Sequence, residues 1–178
     1  MSLRPWRGVE GLPREAWILF TTNLVNRLGT MALPFLVLYL TRHLGLSAGA
    51  AGGLLALYGA TSLVAAPLSG WVAGRLGGLA ILRFSLLSTG VVMIAYPLAR
   101  TVWQAAAMTV LWAATNELYR PASLAVVSDL VPPERRRAAF SLNRLAINLG
   151  MSLGPALGGF LATVSFPALF VVDGATSL

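Results

Sequence analysis

The sequence predicts an all-α membrane protein with five complete transmembrane helices and a sixth that stops short at Leu178. Three observations predict it. Of 178 residues, 57% are hydrophobic and only 11% are charged, against about 25% charged in an average soluble domain. The mean hydropathy is +0.75. The apolar residues also gather into runs near the roughly 20 residues that a spanning helix needs. A soluble fold of this size has too little interior to hide so much apolar surface. Disordered chains, conversely, are poor in these residues.

The first run covers about 17–40, the second about 48–72 and the third about 79–98. The fourth covers about 102–127 and the fifth about 138–161. The last, about 167–178, is too short to cross. Ser47 is placed to cap the second helix. The connections are short, so residues 1–178 read as a single, incomplete bundle, either a truncated product or a fragment of a longer chain. The first run is too long for the apolar core of a signal peptide, and no small-residue cleavage site follows it.

Charge and composition narrow the chemistry. All 13 basic residues are arginine, set against 6 acidic ones, for a net charge of +7. They are spread between apolar runs rather than gathered in a stripe, which argues against a nucleic-acid partner. There is no cysteine and one histidine, His43, so no thiolate or histidine metal site and no cofactor is expected. With the N-terminus inside, Arg4, Arg7, Arg14, Arg75, Arg83, Arg135, Arg136 and Arg137 fall on the cytoplasmic side, and only Arg42 and Arg100 outside. That bias orients the chain N-in, as a multi-pass protein of the inner (plasma) membrane with the lipid bilayer as its first partner.

Polar residues at membrane depth mark a candidate pathway. A charge at mid-helix costs roughly 2.5–3.5 kcal/mol even on the lenient insertion scale, so it should face the bundle interior or water. On the first helix Asn23, Arg27, Thr30 and Pro34 share one face. Arg27 lies ten residues beyond Trp17, about 15 Å along the helix and near the bilayer centre. On the fourth, Asn116, Glu117 and Arg120 precede Pro121, and Glu117 and Arg120 can pair at i, i+3. On the fifth, Asn143, Arg144 and Asn148 sit in the inner third. The structural alternatives are snorkelling for Arg27 and Arg144 and a neutralising ion pair for Glu117 and Arg120. The third helix carries no charge between Arg83 and Arg100 and is expected to face lipid. The first, fourth and fifth helices then enclose the polar space.

Small residues every fourth position, Ala66, Gly70 and Gly74 on the second helix and Gly150, Gly154 and Gly158 on the fifth, predict close backbone packing. Pro155 and Gly159 extend the fifth-helix set.

Three stretches resemble the amino-terminal half of a major facilitator superfamily transporter of the multidrug-efflux, drug:proton antiporter branch. GWVAGRLGGL is similar to that family's loop between helices 2 and 3, with Gly70, Arg75 and Gly77 matching and Gly74 in place of the aspartate that helps latch the two halves. ELYRPASLAVVSDLVPPERRRAAFSL resembles the end of helix 4 and the loop after it, at Tyr119, Pro121, Ala122, Asp129, Pro132 and Arg135. GMSLGPALGG meets the branch's helix-5 motif in full at Gly150, Gly154, Pro155, Gly158 and Gly159. The arginine commonly linked to proton coupling is not matched; Leu111 falls near its place.

The resemblance implies the N-terminal six-helix bundle of the major facilitator fold, with a C-terminal half-bundle as its missing partner. It implies secondary active efflux of a small organic solute by alternating access, with that solute and protons as further partners. Gly70, Arg75, Gly77, Asp129 and Arg135 would belong to the gating loops. Asn23, Arg27, Thr30, Asn116, Glu117, Arg120, Arg144 and Asn148 would line the pathway. The alternative is a truncated, non-transporting membrane protein or remnant. An intramembrane enzyme is disfavoured: His43 lies in a loop, and Asp173 stands without the clustered aspartates a metal would need.

Overall fold

Eight α-helices follow one another along residues 11–178, the part of the chain that the computed structural model describes. They are α1 (Arg14–Gly29), α2 (Ala32–His43), α3 (Ala48–Leu76), α4 (Gly78–Ala95), α5 (Val102–Glu117), α6 (Tyr119–Leu130), α7 (Arg136–Val164) and α8 (Phe166–Ser177). No strand occurs among the described residues. Arg4 and Arg7, two of the arginines behind the orientation, lie outside them.

Two of the expected single helices are broken, each just before a proline. Proline has no N–H to give the carbonyl four residues back, and its ring crowds that carbonyl. Pro34 thereby removes the bond to Thr30, and the first rod divides into α1 and α2 at Thr30–Met31. Pro121 removes the bond to Glu117, and the fourth rod divides into α5 and α6 at Leu118. Pro67 and Pro155 lie inside α3 and α7 without interrupting them.

Other boundaries follow local chemistry. The Ser47 hydroxyl accepts from the Ala50 N–H at 3.2 Å and starts α3. Gly77 turns the chain from α3 into α4 at φ +89°, a conformation open to glycine and strained for other residues. Thr101 and Gln104 form a reciprocal capping box at the start of α5.

Four helical stretches are long and apolar enough to cross a membrane: Arg14–His43, Ala48–Leu76, Gly78–Leu98 and Pro133–Val164. The expected fourth span falls outside this set. It is interrupted at Leu118 and carries Asn116, Glu117 and Arg120 around the break. By length and composition, four candidate spans are found among the described residues.

Two apolar clusters pack the ends of the bundle. One gathers Leu36, Tyr39, Tyr58, Met93, Tyr96, Trp112 and Phe170 around the α2–α3 and α4–α5 turns. Its rings are in direct contact: Tyr96 stacks on Phe170 at 4.7 Å, and Tyr58 meets Trp112 edge-on at 4.9 Å. The other gathers Leu19, Ile81, Leu82, Val126, Val127 and Leu142 at the opposite end. The polar residues of α1, α5, α6 and α7 lie between them.

Close backbone contacts hold the helices laterally, and only one of the two expected glycine faces supplies them. Along α7, Gly150, Gly154 and Gly158 are buried against α1 and the start of α2. A Cβ at Gly158 would lie 2.8 Å from the Met31 Cβ. On α3, by contrast, Gly70 and Gly74 have nothing within 4 Å of an added Cβ. That face stays open within this chain. Gly90 of α4 and Gly174 of α8 supply a further contact, with backbone within 2.9 Å of each added Cβ.

Candidate functional site

A cleft of about 620 Å³ opens between α1, α5, α6 and α7. These are the rods that carry charge at membrane depth. Arg27 reaches it from α1, Asn116 and Glu117 from the end of α5, and Arg120 from α6. Arg144 and Asn148 reach it from α7. Six of the eight residues assigned to the pathway thus share one cavity. The helical spacing of α7 explains its part: Phe140, Arg144, Ile147, Asn148 and Met151 recur three to four residues apart on one stripe and line the wall. α4 contributes no lining residue. Its inner face carries Ser85 and Thr89, which bond to the Thr115 carbonyl (2.7 Å) and hydroxyl (3.0 Å), while Phe84, Leu87 and Val91 are exposed.

The other two residues behave differently. Asn23 is 0% exposed and lies beneath the cleft as a hydrogen-bond hub. Its amide donates to Asn143 of α7 and, at 3.4 Å, to Ser123 of α6. Its carbonyl accepts from the Tyr119 hydroxyl. One side chain thereby ties α1 to α6 and α7, and its donors and acceptor are satisfied in a place where an unpaired group is costly. Thr30 sits at the α1–α2 break and donates to the Asn26 carbonyl at 3.1 Å. The shared face of α1 is thus divided among cleft, core and break.

Arg27 stacks on an aromatic ring and forms no salt bridge among the described residues. Its guanidinium carbon lies 4.2 Å from the centre of the Tyr119 ring, a cation–π geometry. Its Nε is buried without a hydrogen-bond partner. Glu117 and Arg120 flank the break at Leu118 and both line the cleft, but no salt bridge joins them among the described residues. The ion pair that their spacing allows is not formed, although Leu118 between them keeps helical backbone angles. Asn116 instead donates to the Tyr58 hydroxyl of α3 at 3.1 Å.

Asp173 is the residue whose place the sequence concealed. It is 5% exposed on α8 and accepts from the Ala32 N–H at 3.2 Å. Ala32 is the first residue of α2, so the carboxylate caps a helix N-terminus created by the break. Nearby, Asn26 donates to Ser177 at 3.0 Å, and Gly29 lies against Thr176. Tyr119, Ser123 and Asn143 were likewise missed as partners of the assigned residues. Pro34 was the available signal for the break; nothing local pointed to its partner on α8.

The residues assigned to the gating loops lie at the ends of helices, away from the cleft. Gly70 is exposed on α3, and Arg75 stacks on Trp71 with its guanidinium carbon 4.4 Å from the ring centre. Gly77 forms the α3–α4 turn. Asp129 is exposed near the end of α6, and Arg135 precedes α7 with its guanidinium against Gly11.

Comparison with known proteins agrees with this architecture. The Major Facilitator Superfamily profile matches residues 19–178. The chain is 26% identical over 171 residues to the MFS-type transporter YqjV of Bacillus subtilis, covering 96% of this chain and 41% of that protein. It is 25% identical over 166 residues to the quinolone resistance protein NorA of Staphylococcus aureus, covering 93% and 42%. A crystal structure of the peptide transporter POT in complex with sulfate superposes with a TM-score of 0.71 at 27% identity, over 96% of this chain and 39% of that one. The chain therefore spans about two fifths of the length of the relatives it matches. The family and these relatives point to an integral membrane transporter rather than an enzyme. The chain belongs to the Major Facilitator Superfamily.

Proposed function

We propose that the chain forms the amino-terminal part of a secondary transporter that moves a small organic solute by alternating access, with the polar cleft as its half of the pathway. The observation that carries this reading is the convergence of Arg27, Asn116, Glu117, Arg120, Arg144 and Asn148 on one cavity between α1, α5, α6 and α7. Ionisable residues at membrane depth are tolerated where they line such a space. In this reading the α5–α6 rod crosses the membrane as well, because the polar residues at its break face the cleft rather than lipid. That makes five complete crossings, with α8 as part of a sixth.

The direction is efflux, supported by the likeness to a quinolone resistance protein and by the full helix-5 motif. The protein lies in the plasma membrane with its N-terminus in the cytoplasm, supported by the arginine bias. A second half-bundle completes the path. The chain by itself forms one wall of the pathway and completes no cycle; as an isolated product it is a non-transporting membrane protein.

The test reconstitutes the full-length parent and the 178-residue chain separately in liposomes and follows release of a panel of small aromatic solutes under an imposed proton gradient. The parent should move at least one solute, and the chain alone none. A parent that moves no solute, or a chain that transports alone, overturns the reading.

A further inference from the structure

Three arginines converge on the cleft and one carboxylate answers them. Arg27, Arg120 and Arg144 arrive from α1, α6 and α7, and Glu117 is the one acidic residue among the lining. No salt bridge ties Glu117 to any of the three among the described residues. The remaining membrane-depth carboxylate, Asp173, is not among the lining residues and accepts from the Ala32 N–H; even with it counted, three guanidinium groups face two carboxylates. The cleft is therefore electropositive at a depth where water screens poorly.

Arg27 gives a second, independent signal. Its Nε is buried and unpartnered. The Tyr119 ring under its guanidinium is pinned, because the Tyr119 hydroxyl is bonded to the buried Asn23. Gly150 of α7 lies against the Arg27 backbone from behind. The stem and stacking face are thus fixed, while a donor remains without an acceptor. A guanidinium offers its donors in a planar fork that an oxyanion can take two at a time. Asn148 adds a neutral polar group, and Phe140, Ile147 and Met151 form an apolar wall on α7.

We propose that the cleft binds an organic anion, with a carboxylate or similar oxyanion on Arg27 and an apolar body against Phe140, Ile147 and Met151. Arg120 and Arg144 are exposed and supply attraction at longer range, whereas Arg27 supplies the contact. This assignment rests on the transport reading of the same cleft and names its substrate class.

The experiment uses the full-length parent, purified in detergent, with two probes of the same apolar body and opposite charge: 1-naphthoate and 1-naphthylmethylammonium. Titration calorimetry should show the naphthoate binding about tenfold tighter or more. Arg27→Ala should weaken naphthoate binding by a similar factor, and Arg27→Lys should recover part of it, since a point charge attracts but does not fork. Glu117→Gln should strengthen naphthoate binding by removing the one opposing charge. Equal or tighter binding of the ammonium, naphthoate binding unchanged in Arg27→Ala, or no binding of either probe overturns the proposal. Transport is read separately in liposomes. Naphthoate that binds but is not moved counts against transport and leaves the anion site standing. A parent that moves only cations overturns the anion site and leaves transport standing.

Discussion

Gly150 lies directly against the backbone of Arg27: a Cβ added at Gly150 would come within 2.8 Å of the Arg27 carbonyl carbon and 2.9 Å of the Leu28 nitrogen. One turn on, a Cβ at Gly154 would lie 3.1 Å from the Leu28 carbonyl oxygen. The glycine face of α7 is therefore the seat on which the arginine of the cleft is positioned. In lipid such contacts draw on close packing rather than on expulsion of water.

Replacement of these glycines should act on the cleft through α1. Gly150→Ala forces backbone apart and should destabilise the bundle by about 1–3 kcal/mol. Gly154→Leu, a larger intrusion, should abolish transport by the parent while membrane insertion persists. Thermal unfolding in detergent checks the first and liposome flux the second. Wild-type melting in Gly150→Ala would show that α1 and α7 are not held at this distance.

Asn23 should behave as a hub. Asn23→Leu strands the Tyr119 hydroxyl, the Asn143 carbonyl and Ser123 in a buried layer, at a cost of about 1–3 kcal/mol. Asn23→Ala and Asn143→Ala remove the same bond from its two ends, so the double variant should cost less than the sum of the singles. Unfolding in mixed micelles measures both. Strict additivity would show that the two amides do not interact.

Asp173 should control the α1–α2 break. Asp173→Asn keeps an oxygen for the Ala32 N–H and should be mild. Asp173→Ala orphans that N–H and should cost about 1.5–3 kcal/mol, the range for a hydrogen bond to a charged group. Hydrogen exchange at the Ala32 amide should accelerate in Asp173→Ala and much less in Asp173→Asn. Unchanged exchange in both would remove the carboxylate from this role.

Orientation is testable without a transport assay. A reporter active only outside the cytoplasm, inserted at Glu134 between α6 and α7, should be silent if the arginine bias sets the N-terminus inside. Strong activity there would invert the topology.

The sequence alone determined the class of the molecule and the rods that would carry polar function. Long apolar runs permit little besides membrane helices, and a charge inside such a run must find an interior. Arg27, Glu117, Arg120 and Arg144 could therefore be assigned to one enclosure before any contact was known. Helical periodicity also placed Gly150, Gly154 and Gly158 on one face. Periodicity states which residues share a face, however, and not what that face meets. The glycines of α3 and α7 look alike in sequence, yet those of α7 meet α1 and Gly70 and Gly74 meet nothing within this chain. Asn23 and Arg27 share a face, yet one is buried as a hub and the other lines the cleft. Pro34 and Pro121 stand just after the interruptions of two helices, and the i, i+3 spacing of Glu117 and Arg120 permitted a pair that the structure does not form. The cap on the first break comes from Asp173, 141 residues away in the chain. Such pairings join groups brought together only when the helices pack, and in a bilayer an unsatisfied polar group has no water to fall back on. Tertiary structure decided them for that reason.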